Sequence, residues 1–233
     1  MSVSSLFSMQ TVLWHFNIGS GYDMSYIEAI GTIFGLINIW LACKEKYSNF
    51  YFGLINVTLF SIIFFQIQLY ANLLLQIFFF AMNLYGLYSW RASSSNDNDL
   101  KIHWINKTQL ITISLITISA IALLSIYINQ VFLFLTHQAT YILQLFDNSI
   151  KLPSIEVDEH PIIDSAIMVL SIVAMILMTR KCAENWLIWC FINVLSIILY
   201  ATQGVYLMSL EYVILLFIAI KGSIDWIREA NKA

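Results

Sequence analysis

Charge is scarce in this chain. Asp, Glu, Lys and Arg make up 11% of its 233 residues, where a soluble domain carries about 25%, while 60% are hydrophobic and the mean hydropathy is +0.78. That imbalance predicts an all-α integral membrane protein. Helix breakers are scarce too: 2 Pro and 8 Gly leave room for long helices. The apolar runs are continuous rather than alternating, which argues against an outer-membrane β-barrel. A net charge of −3 implies no nucleic-acid partner. Cys43, Cys182 and Cys190 show no ligand-like pairing, and nothing requires them to be oxidised. There is no cluster of acids for a metal, no Ser/His/Asp group and no phosphate-cradling Gly-rich loop. The chain is therefore not expected to be an enzyme, to hold a metal or cofactor, or to hydrolyse ATP. His15, His103 and His160 fall outside the apolar runs and His137 at the end of one, and all four read as solvated side chains.

Lys and Arg are missing from residues 1–25, so the basic start of a cleavable signal is not there. Within that N-terminal extracytoplasmic segment, Met9 to Ile18 carries Val12, Leu13, Trp14 and Phe16. It reads equally as a short interfacial helix or as a disordered tail.

A membrane-spanning helix needs about 20 apolar residues. Seven such runs are predicted, at 26–43, 50–67, 69–90, 109–136, 161–179, 186–203 and 206–226. Basic residues then set the orientation. Lys44 and Lys46 follow the first run; Arg91, Lys101 and Lys107 follow the third. Arg180 and Lys181 follow the fifth, and Lys221, Arg228 and Lys232 close the seventh. Ten of the eleven basic residues thus share one face, expected to be cytoplasmic, with the N-terminus outside and the C-terminus inside. The other face holds Lys151 in a loop with Asp147, Glu156, Asp158 and Glu159. Ser93 to Asp99 reads as a solvated, flexible cytoplasmic loop.

Sliding the chain along itself by 136 residues reveals a repeat. Glu28 meets Asp164, Lys44 meets Arg180, Asn49 meets Asn185 and Phe50 meets Trp186. Tyr70 meets Tyr206, Gly86 meets Gly222 and Trp90 meets Trp226. Two three-helix units, 26–90 and 161–226, joined by a linker at 91–160 that carries one extra span and followed by a short tail at 227–233, make a 3+1+3 arrangement. An odd connecting helix leaves the repeats parallel, an architecture used by SWEET transporters, with a substrate chamber near the midplane between the halves.

Polar groups inside spans tend to face a bundle interior or a watery cavity. Trp186, Trp189 and Asn193 lie at steps of three and seven, on one helical stripe. Gln76, Phe79, Asn83, Gly86 and Trp90 trace another, and Asn56 lies one position out of register with Asn193. Indole faces stack on a flat ring, more strongly if it is cationic. Amides offer donors and acceptors to a carboxamide and to sugar hydroxyls. Plainer roles exist: Trp90, Trp226 and Trp186 as interfacial anchors, and Asn38, Asn72 and Gln66 as hydrogen-bonding glue between helices. Glu211 and Lys221 read either as a coupled pair or as a counter-charge for a cationic substrate and a snorkelling lysine.

Trp186-x-x-Trp189-x-x-x-Asn193 is similar to the W-x-x-W-x-x-x-N signature of the PnuC vitamin transporters. Gln76-x-x-Phe79-x-x-x-Asn83-x-x-Gly86-x-x-x-Trp90 resembles their third-helix pattern, with Phe79 in place of a commoner tyrosine. The likeness runs from Tyr26 to Trp226. It implies a carrier of nicotinamide riboside in the bacterial inner membrane, working by facilitated diffusion with cytoplasmic phosphorylation trapping the nucleoside. Relatives of this build carry thiamine or riboflavin, so a related vitamin is the alternative, and a membrane-embedded receptor that binds without transport is another. The resemblance implies a substrate site of Trp186, Trp189, Asn193, Gln76, Phe79 and Asn83, to which the convergence of amides adds Asn56, and it implies a homo-oligomer, trimers among the forms expected.

Overall fold

In the computed structural model, described for residues 6–17, 21–93, 100–153 and 159–232, the chain opens with a small antiparallel hairpin. Strand β1 (Val12–Phe16) pairs with β2 (Tyr22–Ser25), Phe16 opposite Tyr22 and His15 opposite Asp23. Met9 to Ile18, read equally as an interfacial helix or a disordered tail, is corrected to a paired strand over Val12–Phe16. The pentapeptide is rich in β-formers, and the Gly- and Ser-rich run that follows it favours a turn. Residues 94–99, most of the Ser93 to Asp99 linker, and Glu156 and Asp158 lie outside the described residues.

Seven helices follow: α1 (Tyr26–Cys43), α2 (Asn49–Gln66), α3 (Tyr70–Ser93), α4 (Lys107–Gln144), α5 (Pro161–Thr179), α6 (Glu184–Thr202) and α7 (Tyr206–Ala230). Among the described residues, these seven are long and apolar enough to cross a membrane. Apart from the small hairpin, the fold is that of an all-helical membrane protein. Helix starts follow local rules. Ser25 and Glu28 form a capping box at α1, Asn106 accepts the backbone N–H of Gln109 at α4, and Pro161 occupies the first turn of α5. Helix α4 overruns its expected end by eight residues, so His137 lies within it rather than at its end.

Helices adjacent in sequence pack together within α1–α2–α3 and within α5–α6–α7. Between these triads, α1 packs on α7 and α3 on α5, while α4 lies outside against α3 and α5. Most of α4 is uncovered: Ile111, Leu115, Ile118, Leu123 and Ile126 are all exposed. In water such a face would be an aggregation liability; in a bilayer it meets lipid.

The 136-residue register recurs in atomic detail. Helices α1 and α5 end with Glu45 at φ 56° and Lys181 at φ 55°, and Lys46 N–H bonds Leu41 O as Cys182 N–H bonds Leu177 O. Helices α2 and α6 end with Gln68 at φ 61° and Gly204 at φ 76°. The Asn49 side chain donates to Lys46 O, and Asn185 to Cys182 O. Phe50 lies against Gly86 and edge-on to Trp90 at 5.0 Å; Trp186 lies against Gly222 and edge-on to Trp226 at 5.7 Å. These glycines are required by close approach: a Cβ at Gly222 would sit 2.6 Å from the Trp186 ring.

Two pairs of equivalent residues touch each other. Trp90 and Trp226 have ring centroids 5.9 Å apart, and Lys181 Nζ lies 2.6 Å from Glu45 Oε1. Equivalent positions meet in this way on a two-fold axis. The indoles also cross between the triads. Trp90 Nε1 donates to Thr179 O at 3.1 Å, and Trp226 Nε1 to Cys43 O at 3.3 Å. Both carbonyls belong to helix C-termini that lack an intrahelical donor, so each triad caps a helix of the other. Trp90 and Trp226 are 2% and 1% exposed, which makes them central keys at the basic end rather than the interfacial anchors considered above.

Candidate functional site

The residues singled out in the sequence fall into three settings. Trp186 is 1% exposed, wedged between Gly222 and Trp226, and its indole N–H has no partner. Trp189, one turn further along α6, is half-buried against the same aromatic cluster, and so is Phe79 of α3. Asn193, another turn along, is 5% exposed. The structure thus gathers Trp186, Trp189 and Phe79 around one cluster, with Asn193 deeper on the same helix. Gln76 is half-buried on α3, one turn before Phe79.

Asn83 forms the second setting. It is 3% exposed, and its side-chain N–H donates to Phe79 O at 2.8 Å while its Oδ1 has no partner. That oxygen lies directly over Gly53 of α2, where any side chain would displace it. Asn38 Nδ2 of α1 reaches the same point, 3.2 Å from where a Gly53 Cβ would be, and Asn38 Oδ1 is likewise buried without a partner. A buried acceptor left open costs about 1–3 kcal/mol, so two at one place mark a node that a ligand or water can satisfy. Asn38 and Gly53 were not among the expected site residues. The signal was present in the repeat: Asn38, Gly53 and Asn83 are matched by Ala174, Trp189 and Ala219.

Asn56 belongs to a third setting. Its Nδ2 donates to Gly31 O at 2.8 Å and its amide lies over Gly35, so it is engaged in joining α2 to α1. Two other readings shift. Gln66 clamps the N-terminal segment, accepting from Met9 N–H and donating to Phe7 O, rather than gluing helices. Lys221 pairs with Asp225 at 2.9 Å, one turn away, and not with Glu211.

At the basic end the centre is closed. Lys181 sits over the Trp90 ring at 5.1 Å while paired to Glu45. The segment after α3 lies across this end: His103 N–H bonds Lys181 O, Ala183 N–H bonds His103 O, and Ile105 N–H bonds Glu184 Oε1. Trp104 Nε1 donates to Asn231 Oδ1 at 2.9 Å. The nearby Cys182 thiol is a free group, pushed up to about 11 by burial and by Glu184, and so is kept as an inert thiol.

Seven spans and two matched triads meeting about an axis, with amides and indoles between them and charge confined to the ends, have the build of a polytopic membrane transporter. The family can be given: residues 25–228 match the nicotinamide mononucleotide transporter family, and the chain belongs to it. It is 55% identical over 228 residues to the nicotinamide riboside transporter PnuC of Escherichia coli strain K12, covering 97% of this chain and 95% of that one. It is 24% identical to the protein of that name from Neisseria mucosa, over 94% of this chain and 76% of the relative. A crystal structure of the vitamin B3 transporter PnuC shares the fold, with a TM-score of 0.61 at 22% identity over 89% of this chain and 83% of that one.

Proposed function

We propose that the chain carries nicotinamide riboside across the bacterial inner membrane by facilitated diffusion, its basic end in the cytoplasm. The single observation that carries the substrate is the Escherichia coli relative, alike over nearly the whole of both chains and named as a riboside transporter. The family description speaks instead of the mononucleotide. Side-chain chemistry favours the riboside. A phosphate calls for an Arg or Lys partner, and the residues around the two stripes are indoles, amides, glycines and small apolar groups. The buried lysine nearby, Lys181, is already neutralised by Glu45. Rejection of the phosphorylated product makes phosphorylation in the cytoplasm an effective trap.

In this reading α1–α3 and α5–α7 are parallel repeats that rock about the axis through Trp90, Trp226, Glu45 and Lys181. The pyridinium stacks on Trp189, beside Trp186 and Phe79. Asn193, Asn83 and Gln76 bind the carboxamide and ribose hydroxyls, with Asn56 holding α1 to α2 behind them. The conformation described is closed at the basic end. A homo-oligomer, with trimers among the forms considered, is part of the proposal.

Purified protein in liposomes is expected to exchange labelled nicotinamide riboside without ATP or an imposed ion gradient. Folded protein that binds the riboside without flux would make it a receptor instead. Preference for thiamine or riboflavin in the same exchange would reassign the vitamin.

A further inference from the structure

We infer that the cavity between the hairpin and the turn joining α6 to α7 is an outer subsite that receives a cationic aromatic ring before it reaches the centre. The inference rests on the riboside reading, and it adds a second place on the molecule where that substrate's charge and ring are recognised.

The cavity has a volume of about 140 Å³ and lies at the end opposite the basic face. An apolar cavity of about 150 Å³ takes up one benzene. The space therefore suits a single six-membered ring and leaves a ribose outside. Three aromatic side chains wall it: Phe16 and Tyr22, the strand pair next to the hairpin turn, and Tyr206 at the start of α7. Two bare backbones complete it. Gly21 at φ 81° and Gly204 at φ 76° take turn conformations that favour glycine, and a Cβ on Gly204 would meet nothing within 4 Å. The walls come from both ends of the chain, so the cavity lies between the N-terminal hairpin and the second triad.

Its electrostatics select a cation. The Tyr22 hydroxyl donates to Glu28 Oε1, which places a carboxylate directly behind one wall. Glu211 lies one turn below Leu207, another lining residue, on α7. Lys151 is the sole lysine or arginine that the sequence places at this end. A concave site with acids behind aromatic faces concentrates field lines and draws in a positive ring. The same site gives a neutral ring no such attraction.

The test uses the full chain in proteoliposomes, with Leu207→Cys as a reporter that leaves all three aromatic walls intact. Val205→Cys takes its place if Leu207→Cys fails to fold. Alkylation of this thiol by a membrane-impermeant maleimide is followed with nicotinamide riboside, 1-methylnicotinamide (methylated on the ring nitrogen, hence cationic) or neutral nicotinamide present. The two cationic rings are expected to protect the thiol at about fivefold lower concentration than neutral nicotinamide, the affinity difference that a cation–π contact of about 1 kcal/mol allows. Glu211→Gln should reduce that protection. Protection should survive Trp189→Ala, which weakens the central site. Protection lost with Trp189→Ala, equal protection by neutral nicotinamide, or none at concentrations that saturate exchange would each overturn the subsite. Wild-type protein that fails to exchange the riboside refutes the proposed function instead, and protection by 1-methylnicotinamide still decides the subsite.

Discussion

The two triads share a frame and differ in what they hold. Their turns adopt the same left-handed residues, their asparagines cap the same carbonyls, and their glycines admit an aromatic ring at the same place. Inside, the first triad has two buried amides, Asn38 and Asn83, around the bare backbone of Gly53. The second has an indole, Trp189, at the position of Gly53, and alanines at the positions of both amides. At these three positions the first half keeps space and amides where the second has ring surface and alanines. A pair of identical halves would move symmetrically but offer a flat, hydroxylated and charged substrate the same chemistry twice. On the proposed reading, unlike linings on like frames bring the buried amides of the first half, with Asn193, to the polar edge of a ligand and Trp189 of the second to its face.

The comparison breaks most severely if the halves are made alike. Gly53→Trp is expected to prevent folding, since even a Cβ there collides with Asn83. Gly53→Ala should cost about 1–3 kcal/mol, the range for overpacked cores, read as a lower apparent Tm in detergent. Gly86→Ala and Gly222→Ala should cost similar amounts, because both glycines accept a ring; a large difference between them would show that the frame is less symmetric than it looks. Next comes the axis. Glu45→Ala strands a buried Lys181 and should destabilise by about 1–3 kcal/mol, less than the ~3–5 of a fully buried pair because water reaches Glu45. The double exchange Glu45→Lys with Lys181→Glu should restore most of that loss, as the two positions are equivalent.

Binding separates the linings more gently. Trp189→Ala should weaken calorimetric affinity for nicotinamide riboside by about 1–2 kcal/mol through lost cation–π stacking. Asn83→Ala should cost about 1–3 kcal/mol if its open oxygen meets the ligand. An affinity unmoved by Asn83→Ala with a lowered Tm would confine that amide to packing.

The smallest effect lies where the halves have no counterpart to compare, in the hairpin. Asp23, hydrogen-bonded to His15, raises the imidazole's pKa above its ordinary value. A raised value in the folded state means that the protonated pair supports the hairpin fully below the unfolded value of about 6.5, and that this support fades as pH rises through the folded value. The His15 ring signals in an NMR titration should therefore change at a higher pH than those of Asp23→Asn.

Much of this was legible in residues alone. The seven spans could be read because apolar length is a strong signal, and the 136-residue register because glycine, tryptophan and turn positions repeat with it. The axis was missed, although residues 45 and 181 carry opposite charges at register-equivalent places. A match by similarity passes over such a pair. Helix α4 was cut short because its last two turns, from His137 on, mix polar and apolar residues and lose the hydropathy signal while keeping helical propensity. The strand at Val12–Phe16 is too short for its period to separate strand from helix. Asn38 was legible only as generic glue, because its meaning depends on the missing side chain of Gly53 on a neighbouring helix.

The ion pair on the axis also bears on which halves fit together. Two copies of the first unit would set Glu45 against Glu45, and two of the second would oppose Lys181 with Lys181. One of each gives attraction, so the charge code favours unlike partners and penalises self-pairing. Opposite charges at this one register position therefore make a pair of identical units the poorer assembly.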